Sequence, residues 1–209
     1  MCGLIAPVAF TVSWVLGSLA QPARFDVLED DISDLGALTA NHPWLYNQIG
    51  GNLTGLLVAC LALGLWRALG SGRWARVGVA ALAVSGIGQF LDGLFRLDCR
   101  SIDATCTDRA ASWHGVAHAV ETIVTLVSLY VAIFALARAF RELERWNDLA
   151  GASLVAGFAA LIGLAALAPI GTGFAVLVAS TVYFLWVALV AYRLLVVARA
   201  PARPGGRAR

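Results

Sequence analysis

Lysine is absent from this sequence, so no cofactor held through a lysine Schiff base, retinal included, can be carried by it. Charge of either sign is scarce. The 209 residues include 15 basic and 13 acidic side chains, so 13% of the chain is charged against 60% hydrophobic. A soluble domain carries roughly a quarter charged residues, and this chain has too few to cover a water-facing surface. The charges also cluster, leaving long uncharged runs that suit lipid as the solvent. A net charge of +2 with no basic stripe argues against nucleic acid as a partner.

What the sequence has instead is apolar length. A spanning helix needs roughly 20 mostly apolar residues. Six segments meet or approach this: Gly3–Ala20, Gln48–Leu69, Val77–Phe95, His114–Ala137, Ala150–Pro169 and Phe174–Val197. The expected fold is all-α, a polytopic membrane protein folded as a six-transmembrane-helix bundle over residues 1–197. A Pro-, Gly- and Arg-rich tail, 198–209, is expected to be a disordered basic cytoplasmic extension. Ser18-Leu19-Ala20 resembles a signal-peptide cleavage site, but Met1-Cys2-Gly3 offers no positive n-region, so the first span is expected to be retained. Gly50, Gly51 and Gly55, Gly86 and Gly88, and Gly151, Gly157 and Gly163 mark where helices are expected to approach closely.

Arginine placement orients the spans. Arg67, Arg73 and Arg76, then Arg138, Arg141 and Arg145, then Arg193, Arg199, Arg203, Arg207 and Arg209 all fall on one side. Arg24, Arg96, Arg100 and Arg109 fall on the other. Basic residues favour the cytoplasm, so both termini are expected there, in the cell membrane. Trp44 and Trp113 then sit near the outer interface, and Trp66, Trp74 and Trp146 near the inner one.

The outer side carries the chemistry. Glu29, Asp30, Asp31 and Asp34 crowd the first loop. Their spacing matches no EF-hand, so a solvated acidic loop is favoured over a calcium site. Cys99 and Cys106 are expected to form a disulfide in an oxidising compartment. Cys2 and Cys60 are expected to be inert thiols. At 3.6 residues per turn, His114, His118 and Glu121 share one helix face within about 60°. Asp92 reaches a similar depth from the preceding span, and Asn52 enters the second span near that level. Ionisable residues inside a span are costly and face a cavity or one another. Three readings stay open. The residues are structural, with Asp92 paired to Arg96; or His114, His118 and Asp92 hold zinc as a His i,i+4 half-site; or Asp92, His118 and Glu121 form a proton relay or polar substrate site.

The motifs Asp31-Ile32-Ser33-Asp34-Leu35-Gly36, Gly93-Leu94-Phe95-Arg96-Leu97-Asp98 and His114 to His118, in this order, resemble the domain-of-unknown-function 998 family. That resemblance implies a six-span fold and no particular reaction. A weaker likeness is to transmembrane hydrolases related to alkaline ceramidase, whose zinc site uses an HxxxH pair, a third His, an Asp and a Ser. His114 and His118 match the pair, and His42, Asp92 and Ser33 are candidates for the rest. Those enzymes have seven spans with the pair in the last one, and His42 lies in a loop here.

Function is left among a zinc hydrolase acting on a lipid-like substrate, with Asp92, His118 and Glu121 as catalytic candidates; a small proton-linked transporter or channel; and a membrane scaffold. Membrane lipids are the expected surroundings in each case. The charge split makes the topology testable. A reporter fused after Arg209 should be active only in its cytoplasmic form, and a signal from the opposite side would overturn the orientation.

Overall fold

The computed structural model describes residues 1–199. The expected tail from residue 200 onward lies outside the described residues. The described chain is all-helical, with six helices long and apolar enough to cross a membrane. They are α1 (Cys2–Leu19), α2 (Leu45–Ala68), α3 (Arg73–Asp92), α4 (Trp113–Glu142), α5 (Asp148–Leu167) and α6 (Thr172–Arg199). In lipid the backbone must satisfy its own hydrogen bonds, which is why each apolar run closes into a helix. The six-span expectation holds, with boundaries displaced by a few residues. Two displacements bear on function. α3 stops at Asp92 rather than running to Phe95, and α2 begins earlier, at Leu45.

The first part of α2, Leu45–Leu53, is wound as a π-helix before the α-helix of Thr54–Ala68. Wider winding exposes polar groups to neighbours. Asn47 donates to the Gly36 carbonyl at 3.0 Å and Asn52 to the Phe90 carbonyl at 2.6 Å. Gln89 of α3 returns a bond to the Gly50 carbonyl at 3.2 Å. Asn52 therefore ties α2 to the α3 backbone.

Loops 20–44, 93–112 and 168–171 share one side of the bundle, called here the cap side. A short 3-10 helix, Ile32–Gly36, lies in the first of them. At the other side, α2 turns into α3 through Gly70, whose φ of 73° favours a residue without a Cβ. Large, fully buried apolar side chains concentrate in the half away from the cap: Leu65, Leu136, Phe140, Val187 and Val190. Trp146 belongs with them. It was expected at an interface, but it is 3% exposed and stacks on Phe140 at 5.4 Å. The α4–α5 turn folds it under the bundle. Trp44, Trp66, Trp74 and Trp113 are exposed.

Between helices in lipid there is little hydrophobic drive, and close packing takes its place. Gly55 and Gly86 let α2 and α3 touch backbone to backbone. A Cβ on Gly86 would sit 2.7 Å from the Ala59 nitrogen, and one on Gly55 would fall onto the Phe90 backbone. Gly151, by contrast, has nothing near it. Backbone cannot move aside as a side chain can. Gly55→Ala should therefore lower stability by about 1–3 kcal/mol, the usual cost of overpacking. An unchanged thermal unfolding midpoint in detergent would overturn this account of the α2–α3 contact.

Candidate functional site

The end of α3 creates the site. A Cβ on Gly93 would overlap the Asn47 carbonyl and come within 2.6 Å of the Asn52 side chain. The chain turns there, with the Leu94 and Phe95 amides both bonded to the Leu91 carbonyl. The Phe95 carbonyl is thereby aimed at α4. His118 Nδ1 lies 3.0 Å from it. The same nitrogen lies 3.2 Å from Asp92 Oδ1 and 3.8 Å from Glu121 Oε1. A carbonyl oxygen only accepts, so without a cation Nδ1 holds a proton here.

Glu121 is fixed from its own helix. Thr125 Oγ donates to Oε2 at 3.2 Å, and the Thr122 hydroxyl lies 3.1 Å from Oε1. Thr125 in turn sits over Gly88 of α3, where any Cβ would collide with its hydroxyl. Asp92, His118 and Glu121 each offer one ligand atom, and these atoms lie within 4.8 Å of one another. All three side chains are buried or nearly so. Asp92 Oδ2 is buried with no hydrogen-bond donor. Among the described residues, no arginine pairs with Asp92 or Glu121; their ion-pair contact is His118. Two carboxylates in an apolar interior without an adjacent arginine need protons or a metal ion to balance them.

The cluster opens onto a cavity of about 220 Å³. Asp31, Ser33, Tyr46, Gln89, Thr122 and Thr125 contribute polar atoms to its wall, and Phe10, Leu129 and Leu164 close it with carbon. A second, mostly apolar groove of about 600 Å³ runs between α3 and α4, past Val84, Leu91, Phe95 and Val120, and also meets Glu121.

The cap over this cavity is held by ions. Asp34, 0% exposed, accepts from the Ser101 amide at 2.9 Å, the Ser101 hydroxyl at 2.5 Å and Arg109 Nη2 at 2.6 Å. Burial pushes the Asp34 carboxyl up, and Ser101 and then Arg109 draw it back. Arg109 also reaches Asp31 at 3.1 Å. Asp103 is held down to about 2, chiefly by Arg100, with Thr39 assisting. Asp98 is held low by its bonds to Ser112, the N-cap of α4. Cys99 and Cys106 are joined as expected, with Cα atoms 5.7 Å apart. The acidic first loop was expected to be solvated; Asp34 is instead buried and paired with Arg109, and Asp31 and Asp30 also accept from Arg109 or from backbone amides.

Asp92, His118 and Glu121 thus converge, and Asp92 pairs with His118 where Arg96 had been considered. His114 does not join them. One turn nearer the cap, its ring lies tilted against Trp113 at 3.7 Å and against Phe95 at 6.0 Å. It stands outside the three-residue group, and Glu121 occupies the third position instead. Cys2 and Cys60, expected to be inert thiols, are both free and lie with sulfurs 2.8 Å apart where α1 meets α2. Thr122, Thr125 and the Phe95 carbonyl were missed. The threonines carry a readable signal, since Thr125 stands i+4 from Glu121 on one helix face.

Fold and site together define a six-span helical membrane protein with a buried carboxylate–imidazole cluster under an ion-paired cap. A family model described as protein of unknown function (DUF998) matches residues 4–193, and the chain belongs to that family. No curated protein and no solved structure matches.

The cap makes a direct prediction. Arg109 is the cation that compensates fully buried Asp34. Arg109→Ala should destabilise the protein by roughly 3 kcal/mol, the scale for breaking a buried pair from one side. Chemical unfolding in detergent measures this, and a loss under half that size would show that Ser101 alone satisfies Asp34.

Proposed function

We propose that Asp92, His118 and Glu121 hold a divalent metal ion such as zinc that hydrolyses an ester or amide bond in a lipid-like substrate. One observation carries this reading: three buried ligand atoms within 4.8 Å of one another. The contacts of 3.2 and 3.8 Å from His118 Nδ1 to the two carboxylates bracket the edge of about 3.3 Å expected for tetrahedral ligands near 2.0 Å from zinc. A dication also neutralises both carboxylates. Three protein ligands would leave such an ion a position for water or substrate, as in catalytic zinc sites.

Bound zinc lowers the pKa of water to about 7. Zinc held by Asp92, His118 and Glu121 would supply such a water of lowered pKa. Asp92 Oδ2, which has no hydrogen-bond partner among the described residues, would take that water's proton, and the resulting hydroxide would add to the substrate carbonyl carbon. As the carbon–oxygen or carbon–nitrogen bond breaks, that proton passes to the leaving group. With both termini in the cytoplasm, the cap faces outward and the site lies in the outer leaflet of the cell membrane.

A second reading, a proton relay, is favoured by a separate observation. The Phe95 carbonyl at 3.0 Å wants a proton on His118 Nδ1, and Asp92 and Glu121 can exchange it. Metal analysis separates the two. Purified protein should carry about one zinc per chain, the stoichiometry of a mononuclear site. His118→Ala and Asp92→Asn should each lose it while remaining folded. Metal-free protein that conducts protons in liposomes would replace the hydrolase with the relay.

A further inference from the structure

The cavity beside the cluster has a side opening. α4 and α5 pack together in the half away from the cap, where a Cβ on Gly157 would press on Phe134 and where Phe134 meets Phe158 at 5.2 Å. Toward the cap, α5 leans on α6 instead, with Gly163 against Val178. The backbones of α4 and α6 stay apart along their described length. The fissure between them is the cavity, bordered by Leu126 and Tyr130 of α4, Leu164 of α5 and Ala179 of α6. Leu126 is 41% exposed, whereas Phe10 and Leu129 on the inner wall are 6% and 8% exposed. The opening therefore lies along the apolar flank of a spanning helix, and it leads inward to Asp92 and Glu121.

The lining has a sign. Asp31, Asp92 and Glu121 contribute carboxylates to the wall, and among the described residues no arginine or histidine lines it. Asp92 and Glu121 would offset the charge of a metal ion, and Asp31 adds a further carboxylate, so the side chains of the wall supply no positive charge to an anionic head. The polar remainder, Ser33, Tyr46, Gln89, Thr122, Thr125 and Ser180, suits hydroxyl, amide or ester groups.

We infer that a long-chain amphiphile with an uncharged polar head enters sideways from the bilayer between α4 and α6. Its head stops at the Asp92–Glu121 end, and its chain lies against Phe10, Leu126, Leu129 and Leu164. This deepens the hydrolase reading and rests on it for what happens to the head. The chain's path rests on the fissure alone. Continuity with lipid selects the occupant: a bilayer chain can slide past Leu126 without crossing water, whereas a water-soluble substrate would have to cross the ion-paired cap.

The test uses full-length protein in phosphatidylcholine vesicles with two probes of identical chain, each carrying a terminal diazirine. One is a fatty alcohol and the other an alkyl phosphate. After photolysis, peptide mass spectrometry locates the label, and metal is measured in the same samples. The alcohol should label Phe10 and Leu129, and the phosphate should label them about tenfold less, a difference of the size that one unfavourable head contact produces. Ala179→Trp should close the fissure and remove the inner label while leaving bound metal unchanged. Leu126→Ala should widen it and raise that label, which keeps the proposal falsifiable if the tryptophan variant does not fold. Label confined to outward residues such as Ile123 and Val127, or equal inner label from both probes, would overturn the inference. Inner label that persists in metal-free protein would defeat the hydrolase reading and leave the path intact.

Discussion

His118 Nδ1 meets the Phe95 carbonyl at 3.0 Å and Asp92 Oδ1 at 3.2 Å, and these contacts join the end of α3 to the opening turns of α4. Both depend on α3 stopping at Asp92. Had the helix continued, the Phe95 carbonyl would accept from a helical amide four residues on and could not face His118. Gly93 permits the stop because Asn47 and Asn52 of α2 occupy the space a side chain would need. The π-winding of Leu45–Leu53 belongs to the same contact. It brings α2 against the α3 terminus, in keeping with the frequent placement of π-turns at functional sites.

Asp34 and Asp92 show two ways of burying a carboxylate. Asp34 receives three donors, one of them cationic, and both of its oxygens are engaged. Its role is complete inside the cap, where it binds loop 20–44 to loop 93–112. Asp92 receives one imidazole contact, and its second oxygen is left bare. A buried polar atom without a partner costs about 1–3 kcal/mol, and a fold that tolerates this beside a cavity has kept something available. That asymmetry, more than the mere presence of acids in a span, separates a candidate site from a structural ion pair.

Much of this was legible in the sequence because lipid simplifies the code. Apolar length gave the six spans, and helical period put His118 and Glu121 on one face. The Cys99–Cys106 pair followed from spacing and compartment. Other features depend on contacts between distant segments, which periodicity cannot see. His114 has the right spacing but lies one turn closer to the cap, where its ring meets those of Trp113 and Phe95. Trp146 reads as an interfacial anchor until the α4–α5 turn folds it onto Phe140. Asp34 looks like one acid among four, and only the return of loop 93–112 selects it as the partner of Arg109.

The rotation of α4 about its axis links these features to the membrane. A carboxylate turned to lipid at mid-span costs about 2.5–3.5 kcal/mol on insertion scales. Glu121 avoids this by facing inward, and Val120, Ile123 and Val127 on the opposite side of the helix are exposed. Thr122 and Thr125 extend the inward polar stripe by one turn, and beyond them Leu129 and Ile133 return to carbon. The stripe is therefore short and confined to the cap half, where Asp31 and Ser33 of the first loop complete the polar wall of the same cavity. Asp31 and Ser33 line that cavity from the first loop, and Leu126 lines it from the flank of α4, so its wall is polar toward the cap and carbon along the helix.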